Sequence, residues 1–251
     1  MCRLLLLLHT KQPINKLNLF LSQSDHNTKN TPGLNNKYDS THNKDGFGFA
    51  WVEHNYRLQN TWKIYKNTVL YKDDLNLENK LYNIHSDIII GHIRHKTIGS
   101  VDIKNTHPFT YKNQVFFHNG AIYQFDTYKI TIKSYISSKY LTHIKGETDS
   151  EYLFYLFLTV KDNEIKNNNK DLKKIMQCFF DLVENLNLNV LANIIYADDK
   201  EVVITRYTIN SRKNSLSLYY DNSDGIIISS EPVTSEYKLV REQSIIVLPI
   251  L

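Results

Sequence analysis

The sequence predicts an α+β fold, because strand-like segments lie at both ends of the chain and helical segments lie between them. We find no internal repeat and no linker rich in proline and glycine that would divide the chain. With 251 residues, the chain has the length of one large domain or two small ones. The order of the elements therefore favours one α+β domain over alternating strand–helix–strand units.

The first predicted element is a strand at residues 4–8, where leucines follow one another between polar neighbours. A short apolar run of this kind is typical of a strand buried on both faces. It is shorter than the roughly 7–15 apolar residues of a secretion-signal core. It is also far shorter than the roughly 18–20 apolar residues of a membrane span. We therefore expect a cytoplasmic protein with no membrane segment.

Pro13 suits the first turn of the helix that we predict next, and residues 22–44 read as a long polar loop. Strands are then predicted at residues 47–52, 61–66, 88–94 and 115–118. Asn119 and Gly120 follow the last of these strands and precede an apolar stretch. Because this dipeptide is favoured in tight turns, the pattern predicts a β-hairpin there.

The middle of the chain is predicted to be helical. Residues 126–141 form one candidate helix, and Thr148 with Glu151 forms a capping box before a second. Asp171 begins a third helix, which we expect to end near Leu186. Later strands are predicted at residues 190–197, 201–207, 215–220, 226–229 and 244–248.

Charge and cysteine content limit the possible functions. The formal net charge is +4 and the basic residues are scattered, whereas nucleic-acid binding requires clustered positive charge. The two cysteines, Cys2 and Cys178, do not form the framework of a disulfide-rich protein. We therefore expect a reducing compartment and no nucleic-acid partner.

Cys2 has an unusual position, directly after the initiator methionine. If Met1 is removed, residue 2 carries both a thiol and a free α-amine. An α-amine titrates near about 7.7–8.0, so it can accept the thiol proton close to neutral pH. A terminal amine paired with its own side chain is one way to activate a nucleophile. The alternative is that this cysteine has no function.

Three further stretches carry candidate functional groups. Arg94 ends an apolar strand and could hold a carboxylate through two parallel hydrogen bonds, or it could be a surface arginine. The Asn119 amide and the Gly120 N–H could form an oxyanion hole, or they could be a plain turn. Asp149 could bind a cationic amine, or it could cap a helix.

Seven motifs, taken in order, resemble one family: MCR, DGFG, GHIRHKTIG, NTHPF, FFHNGAIYQF, GETDSE and IISSEPVT. The chain resembles the class II glutamine amidotransferase domain, a branch of the N-terminal nucleophile (Ntn) hydrolases. It is most similar to standalone members that cleave γ-glutamyl compounds in thiol metabolism, including ergothioneine-pathway and glutathione-degrading enzymes. The resemblance spans residues 2 to about 234 and implies a four-layer αββα sandwich.

The resemblance implies that residues 2–251 form one glutamine amidotransferase type-2 domain from which Met1 has been removed. It makes Cys2 the nucleophile and its α-amine the base. It makes Asn119 and the N–H of Gly120 the oxyanion hole. The implied reaction is hydrolysis of the γ-amide of glutamine or of a γ-glutamyl compound, through a thioester and without a cofactor or a metal.

The resemblance also implies how the substrate is recognised. Arg94 binds the α-carboxylate and Asp149 binds the α-ammonium group. Thr97 and the segment that contains His107 line the pocket. Ile98 departs from the family, since many amidotransferases have histidine at that position. The leaving group would be selected by the 22–44 loop and residues 53–86, which contain no readable motif.

Three alternatives stay open at this level. The first is a zinc enzyme, because five histidines lie within a short span: His85, His92, His95, His107 and His118. The second is a non-catalytic scaffold of the same fold. The third is a glutaminase subunit that delivers ammonia to a separate synthase. The sequence is equally compatible with a homo-oligomer and with a partner enzyme subunit.

Overall fold

A computed structural model describes residues 2–24, 43–54, 60–211 and 215–250. Two antiparallel sheets pack face to face, and helices cover the outer face of each sheet. One apolar cluster lies between the sheets, and two others lie between a sheet and its helices. This arrangement confirms the predicted α+β fold and its four αββα layers.

Among the described residues, one sheet has seven strands in the order β11-β9-β10-β1-β4-β2-β3, and the other has five in the order β12-β8-β7-β6-β5. The larger sheet contains β1 (Arg3–Leu8), β2 (Phe47–His54), β3 (Asn60–Asn67), β4 (Ile88–Ile93), β9 (Tyr219–Asp221), β10 (Ile226–Ser229) and β11 (Lys238–Leu239). The smaller sheet contains β5 (Phe109–Tyr111), β6 (Gln114–Ile122), β7 (Val190–Ala197), β8 (Glu201–Ile209) and β12 (Ser244–Pro249).

The helices divide between the two outer layers. Those of the first part of the chain are α1 (Pro13–Ser22) and α2 (Leu77–Tyr82), and they pack on the larger sheet. Those on the smaller sheet are α3 (Phe125–Tyr135), α4 (Ser138–Leu141), α5 (Asp149–Lys166) and α6 (Leu172–Asn185). Short 3-10 helices lie at Tyr71–Asp73 and Ile103–Asn105. None of the helices in the described part of the chain combines the length and apolar character needed to cross a membrane.

The leucine run forms β1, as predicted, and all six residues of the strand are buried. Leu4, Leu6 and Leu8 join the cluster between the sheets. Leu5 and Leu7 join the cluster under the first helical layer. Apolar residues on both faces are therefore required, because this strand lies between β10 and β4 in the interior of the sheet.

The predicted helix starts are found, with one difference in the capping box. The Thr148 hydroxyl accepts the N–H of Glu151 at 3.3 Å, as a capping residue should. The Glu151 carboxylate instead accepts the N–H groups of Lys145 at 2.9 Å and Gly146 at 2.7 Å. It therefore fastens the preceding loop to α5 rather than completing the box. Asp171 caps α6 as expected.

The hairpin predicted at Asn119 and Gly120 is wrong, because β6 runs straight through both residues and pairs with β7 over its length. Gly120 is needed here for space rather than for a turn. A Cβ at this position would lie 1.8 Å from the carbonyl oxygen of Leu191 on the neighbouring strand. The tight turn lies earlier, between β5 and β6, where Lys112 has a φ of 52°.

Two further expectations meet the structure only in part. The strand expected at residues 215–220 is reduced to the short β9, Tyr219–Asp221. The helix α1 continues to Ser22, the first residue of the expected 22–44 loop. Most of that loop, residues 25–42, lies outside the described residues.

Candidate active site

The position of Cys2 follows from the pairing of β1 with β4. Arg3 pairs with Ile93 in this antiparallel register. Cys2, which precedes Arg3, therefore lies beside Arg94, which follows Ile93. The Cys2 sulfur accepts the backbone N–H of His95 at 3.3 Å and lies 3.5 Å from the His95 carbonyl oxygen. The thiol is half-buried at the end of a strand that is itself fixed within the sheet.

Opposing influences act on the Cys2 thiol. Burial raises its pKa above the ordinary value, while the hydrogen bond from the His95 N–H and the positive charge of Arg94 lower it. The negative charge of Asp149 raises it. Because burial is the largest of these effects, the net shift of the thiol pKa is upward. A guanidinium and a carboxylate thus act on the same sulfur.

Arg94 is buried and held by backbone carbonyl groups. Its guanidinium donates to Ser100 O at 3.0 Å and to Ile98 O at 3.2 Å. Within the described part of the chain, no carboxylate forms an ion pair with it. Burial lowers the pKa of Arg94, and the charges of Cys2 and Asp45 oppose that effect. The arrangement provides an oriented positive charge that is available to an anionic group.

Asp149 is the first residue of α5, and it is attached to the end of β6. One carboxylate oxygen accepts the N–H of Ile122 at 2.8 Å, and the other accepts the N–H of Ser150 at 2.8 Å. These two donors fix the carboxylate and leave lone pairs for a cationic group. Asp149 therefore projects from the smaller sheet and its helix, whereas Arg94 projects from the larger sheet.

Asn119 lies on β6 and is also linked to β1. Its Nδ2 lies 3.1 Å from the Ser230 hydroxyl oxygen, and that oxygen accepts the N–H of Leu4 at 2.9 Å. Both Asn119 and Ser230 are buried. The amide therefore lies between the two sheets. It is linked through Ser230 to Leu4, which is two residues from Cys2 and on the same face of β1. Gly120 follows it in β6, with its backbone pressed against Leu191.

The two remaining candidate residues have different environments. Thr97 is exposed, in the loop that also contains His95. His107 is buried, with its ring 4.0 Å from the ring of His92 and 4.6 Å from that of Phe109. Neither ring nitrogen of His107 has a hydrogen-bond partner among the described residues.

Comparison with known proteins decides the family. The family model for class-II glutamine amidotransferases matches residues 28–215, which is about three quarters of the chain. This chain belongs to the class-II glutamine amidotransferases. It is therefore an enzyme of a family that hydrolyses the amide of glutamine. The matched region begins after Cys2, so the family assignment rests on residues 28–215 and not on Cys2 itself.

Individual proteins agree with this assignment. DUG3 of Saccharomyces cerevisiae, named a probable glutamine amidotransferase, is 28% identical over 283 residues, covering 94% of this chain and 77% of its own length. A class-II glutamine aminotransferase domain protein from Silicibacter pomeroyi has a TM-score of 0.65 at 20% identity, covering 98% of this chain and 94% of that one. Glutamine phosphoribosylpyrophosphate amidotransferase of B. subtilis has a TM-score of 0.66 at 15% identity, covering 99% and 47% respectively. These two structural likenesses confirm the Ntn fold.

The zinc alternative finds no support in the described part of this glutamine amidotransferase. No group of three His, Cys, Asp or Glu side chains there is placed to hold a metal ion. Of the five histidines in question, His85 is exposed and His95 is half-buried. His118 is engaged by the Ser150 hydroxyl and the Leu191 carbonyl, each at 2.9 Å.

The buried histidines of this amidotransferase make its stability sensitive to acid. Burial lowers the pKa of His92 to about 3, that of His107 well below the ordinary value, and that of His118 below it as well. The unfolded chain protonates all three near about pH 6.5, so below that pH it binds more protons than the folded chain. The free energy of unfolding is therefore expected to have its highest value above this pH. It should fall on acidification by up to about 1.4 kcal/mol per pH unit for each histidine.

Urea denaturation between neutral pH and about pH 5 measures this slope. His92→Phe removes one of the three groups and is expected to make the slope shallower, whereas replacement of the exposed His85 by Gln serves as the control. If His92→Phe left the dependence of the unfolding free energy on pH unchanged, His92 would not be a source of the acid sensitivity.

Sequence reasoning missed three contacts of the amidotransferase site. The His95 N–H is a backbone group and has no signature in side-chain patterns. Ser230 belongs to the IISSEPVT motif, but the motif alone does not indicate its contact with Asn119. Arg3 donates to the Cys2 carbonyl at 3.3 Å, and its guanidinium lies 3.9 Å from the buried carboxylate of Glu231. The MCR and IISSEPVT motifs are thus in contact beside Cys2.

Proposed function

We propose that this glutamine amidotransferase cleaves the γ-amide of glutamine or of a γ-glutamyl compound through a thioester on Cys2. In this proposal residues 2–251 act as one domain after removal of Met1. The observation that carries the proposal is that the Cys2 thiol, held by the His95 N–H at the end of β1, is acted on by charges of opposite sign. Arg94 and Asp149 come from different sheets, and both act electrostatically on the Cys2 sulfur.

The two charges match the common part of these substrates. A γ-glutamyl group carries an α-carboxylate and an α-ammonium on one carbon, several bonds away from the γ-amide. The Arg94 guanidinium, which has no ion pair within the described residues, suits the carboxylate. The Asp149 carboxylate suits the ammonium group, since backbone donors already fix its direction. Simple amides lack both groups and would bind poorly.

The chemical step uses the terminal amine as the base. The neutral α-amine of Cys2 takes the thiol proton, and the thiolate attacks the γ-carbonyl carbon. The carbonyl oxygen becomes an oxyanion, which Asn119 and the Gly120 N–H are proposed to stabilise. The tetrahedral intermediate collapses, and the departing amine or ammonia takes the proton from the α-ammonium group.

A second cycle of the same base completes the reaction. The γ-glutamyl group now forms a thioester with the Cys2 sulfur. The α-amine removes a proton from water as the water attacks this thioester, and the thiol is regenerated together with free glutamate. Burial raises the pKa of the Cys2 thiol, which makes an adjacent base necessary in the first half-reaction. In the second half-reaction the base is needed because neutral water is a weak nucleophile.

The test is an intact-mass measurement with 6-diazo-5-oxonorleucine, an electrophile that carries the glutamyl α-groups. We expect a mass without Met1, a single adduct, and a peptide map that places it on Cys2. Glutamate, which carries the same α-groups, should protect Cys2 from this reagent. Met1 retained in active protein, or an adduct confined to Cys178, would overturn the proposal.

A further inference from the structure

The Asn119 amide is oriented so that one of its ends is unsatisfied. Its Nδ2 points to the Ser230 hydroxyl at 3.1 Å, and its Oδ1 is buried without a hydrogen-bond partner among the described residues. A buried amide oxygen without a donor is costly, because it has given up its hydrogen bonds to water. In this orientation Nδ2 uses one of its two N–H groups on Ser230, so that group is not available to the oxyanion.

The Ser230 hydroxyl also has an unsatisfied hydrogen-bonding group, in its case a donor. Its hydroxyl oxygen accepts two N–H groups, from Leu4 at 2.9 Å and from Asn119 at 3.1 Å. A hydroxyl has two lone pairs and one hydrogen. Both lone pairs are therefore used, while the hydrogen has no acceptor among the residues that the structure describes.

One rotation satisfies both groups. The oxygen and nitrogen ends of an amide are distinguished by their hydrogen-bond partners. Turning the Asn119 amide by half a turn places Oδ1 against Ser230, whose hydroxyl can then donate to it. The Leu4 N–H still donates to the same hydroxyl oxygen. The Nδ2 group moves to the position that the unpartnered Oδ1 occupies, and both of its hydrogens become available.

We propose that Ser230 is a positioning residue that orients the Asn119 amide so that its N–H groups face the oxyanion. The inference rests on the proposed function, since it assigns Ser230 a role only if Asn119 is an oxyanion donor. The location supports this role. Ser230 lies opposite Leu4, two residues from Cys2 on the same face of β1, and bridges that strand to β6 of the other sheet.

Ser230→Ala is the first test. We expect kcat for glutamine hydrolysis to fall by about 10- to 100-fold, with KM changed by less than about twofold. Binding of glutamate γ-semialdehyde, which forms an oxyanion-like adduct with the thiol, should weaken in parallel, while glutamate binding should not. Ser229→Ala is the matched control, because Ser229 is also buried but lies on the opposite face of the strand. An unchanged kcat, or a loss of activity that comes only from a higher KM, would contradict a positioning role.

A double-mutant cycle with Asn119→Ala separates this inference from the proposed function. If Ser230 acts through Asn119, Ser230→Ala should cause no further loss of kcat in the Asn119→Ala background. Multiplicative losses would overturn the inference and leave the proposed function intact. Full activity in Asn119→Ala itself would overturn the proposed oxyanion hole. If Ser230→Ala fails to fold, Ser230→Cys, a weak donor of similar size, enters the same cycle with the same expected results.

Discussion

Replacing Cys2 with alanine is expected to reduce kcat for glutamine hydrolysis by about 1,000-fold or more, because the thiol proposed to form the thioester is removed. The Cys2 thiol lies against the His95 N–H, with Arg94 and Asp149 acting on it. These neighbours remain in the variant, so glutamine should still bind. Steady-state kinetics and calorimetric titration with glutamine measure the two effects separately.

The chain offers a matched control for this substitution. Cys178, on α6, is the only other cysteine and is also half-buried. Cys178→Ala is expected to keep wild-type kcat and KM. Substantial activity in Cys2→Ala would show that a different group attacks the amide. The scaffold alternative would gain support if neither variant changed the function of the protein.

Gly120→Ala is expected to be the most destabilising single substitution in the site. The added Cβ would lie 1.8 Å from the carbonyl oxygen of Leu191 and 2.3 Å from Nε2 of His118. The oxygen belongs to the backbone of β7 and cannot rotate away, and His118 is held on both sides by hydrogen bonds. We expect a loss of about 3 kcal/mol or more in the free energy of unfolding, measured by urea denaturation.

Gly91→Ala tests whether this cost comes from the backbone contact. Gly91 lies in β4, where an added Cβ would meet only side-chain atoms, those of Phe20 at 3.1 Å and Leu17 at 3.6 Å. These side chains can shift slightly, so the loss should be clearly smaller than at Gly120. Equal losses for the two variants would contradict the proposed origin of the effect.

The elements with strong local patterns could be predicted from the sequence. The leucine run is apolar on every residue, and this is what a strand between two others in a buried sheet requires. The α6 helix has both a capping residue, Asp171, and a regular apolar face. In each case the local pattern and the three-dimensional environment favour the same structure, so no long-range contact was needed to decide it.

Asn119 and Gly120 show where such reasoning fails. Local preference favours a tight turn for this dipeptide, but the structure uses glycine because Leu191 approaches closely from the next strand. That requirement depends on a residue far along the chain and leaves no local pattern. The same holds for Ser230, which is 111 residues from Asn119 and 226 from Leu4. The motifs predict candidate site residues, but they do not predict the contacts that orient them.

The interior position of β1 also fixes when the Cys2 region can be assembled during synthesis. This strand precedes the other described strands in the chain, yet one of its neighbours in the sheet is β10, Ile226–Ser229. Until the ribosome has released nearly the whole chain, the edge that β10 covers stays open and the Cys2 region is incomplete. The proposed removal of Met1 thus has most of the translation time in which to occur. An unfinished chain, for its part, lacks the assembled candidate site.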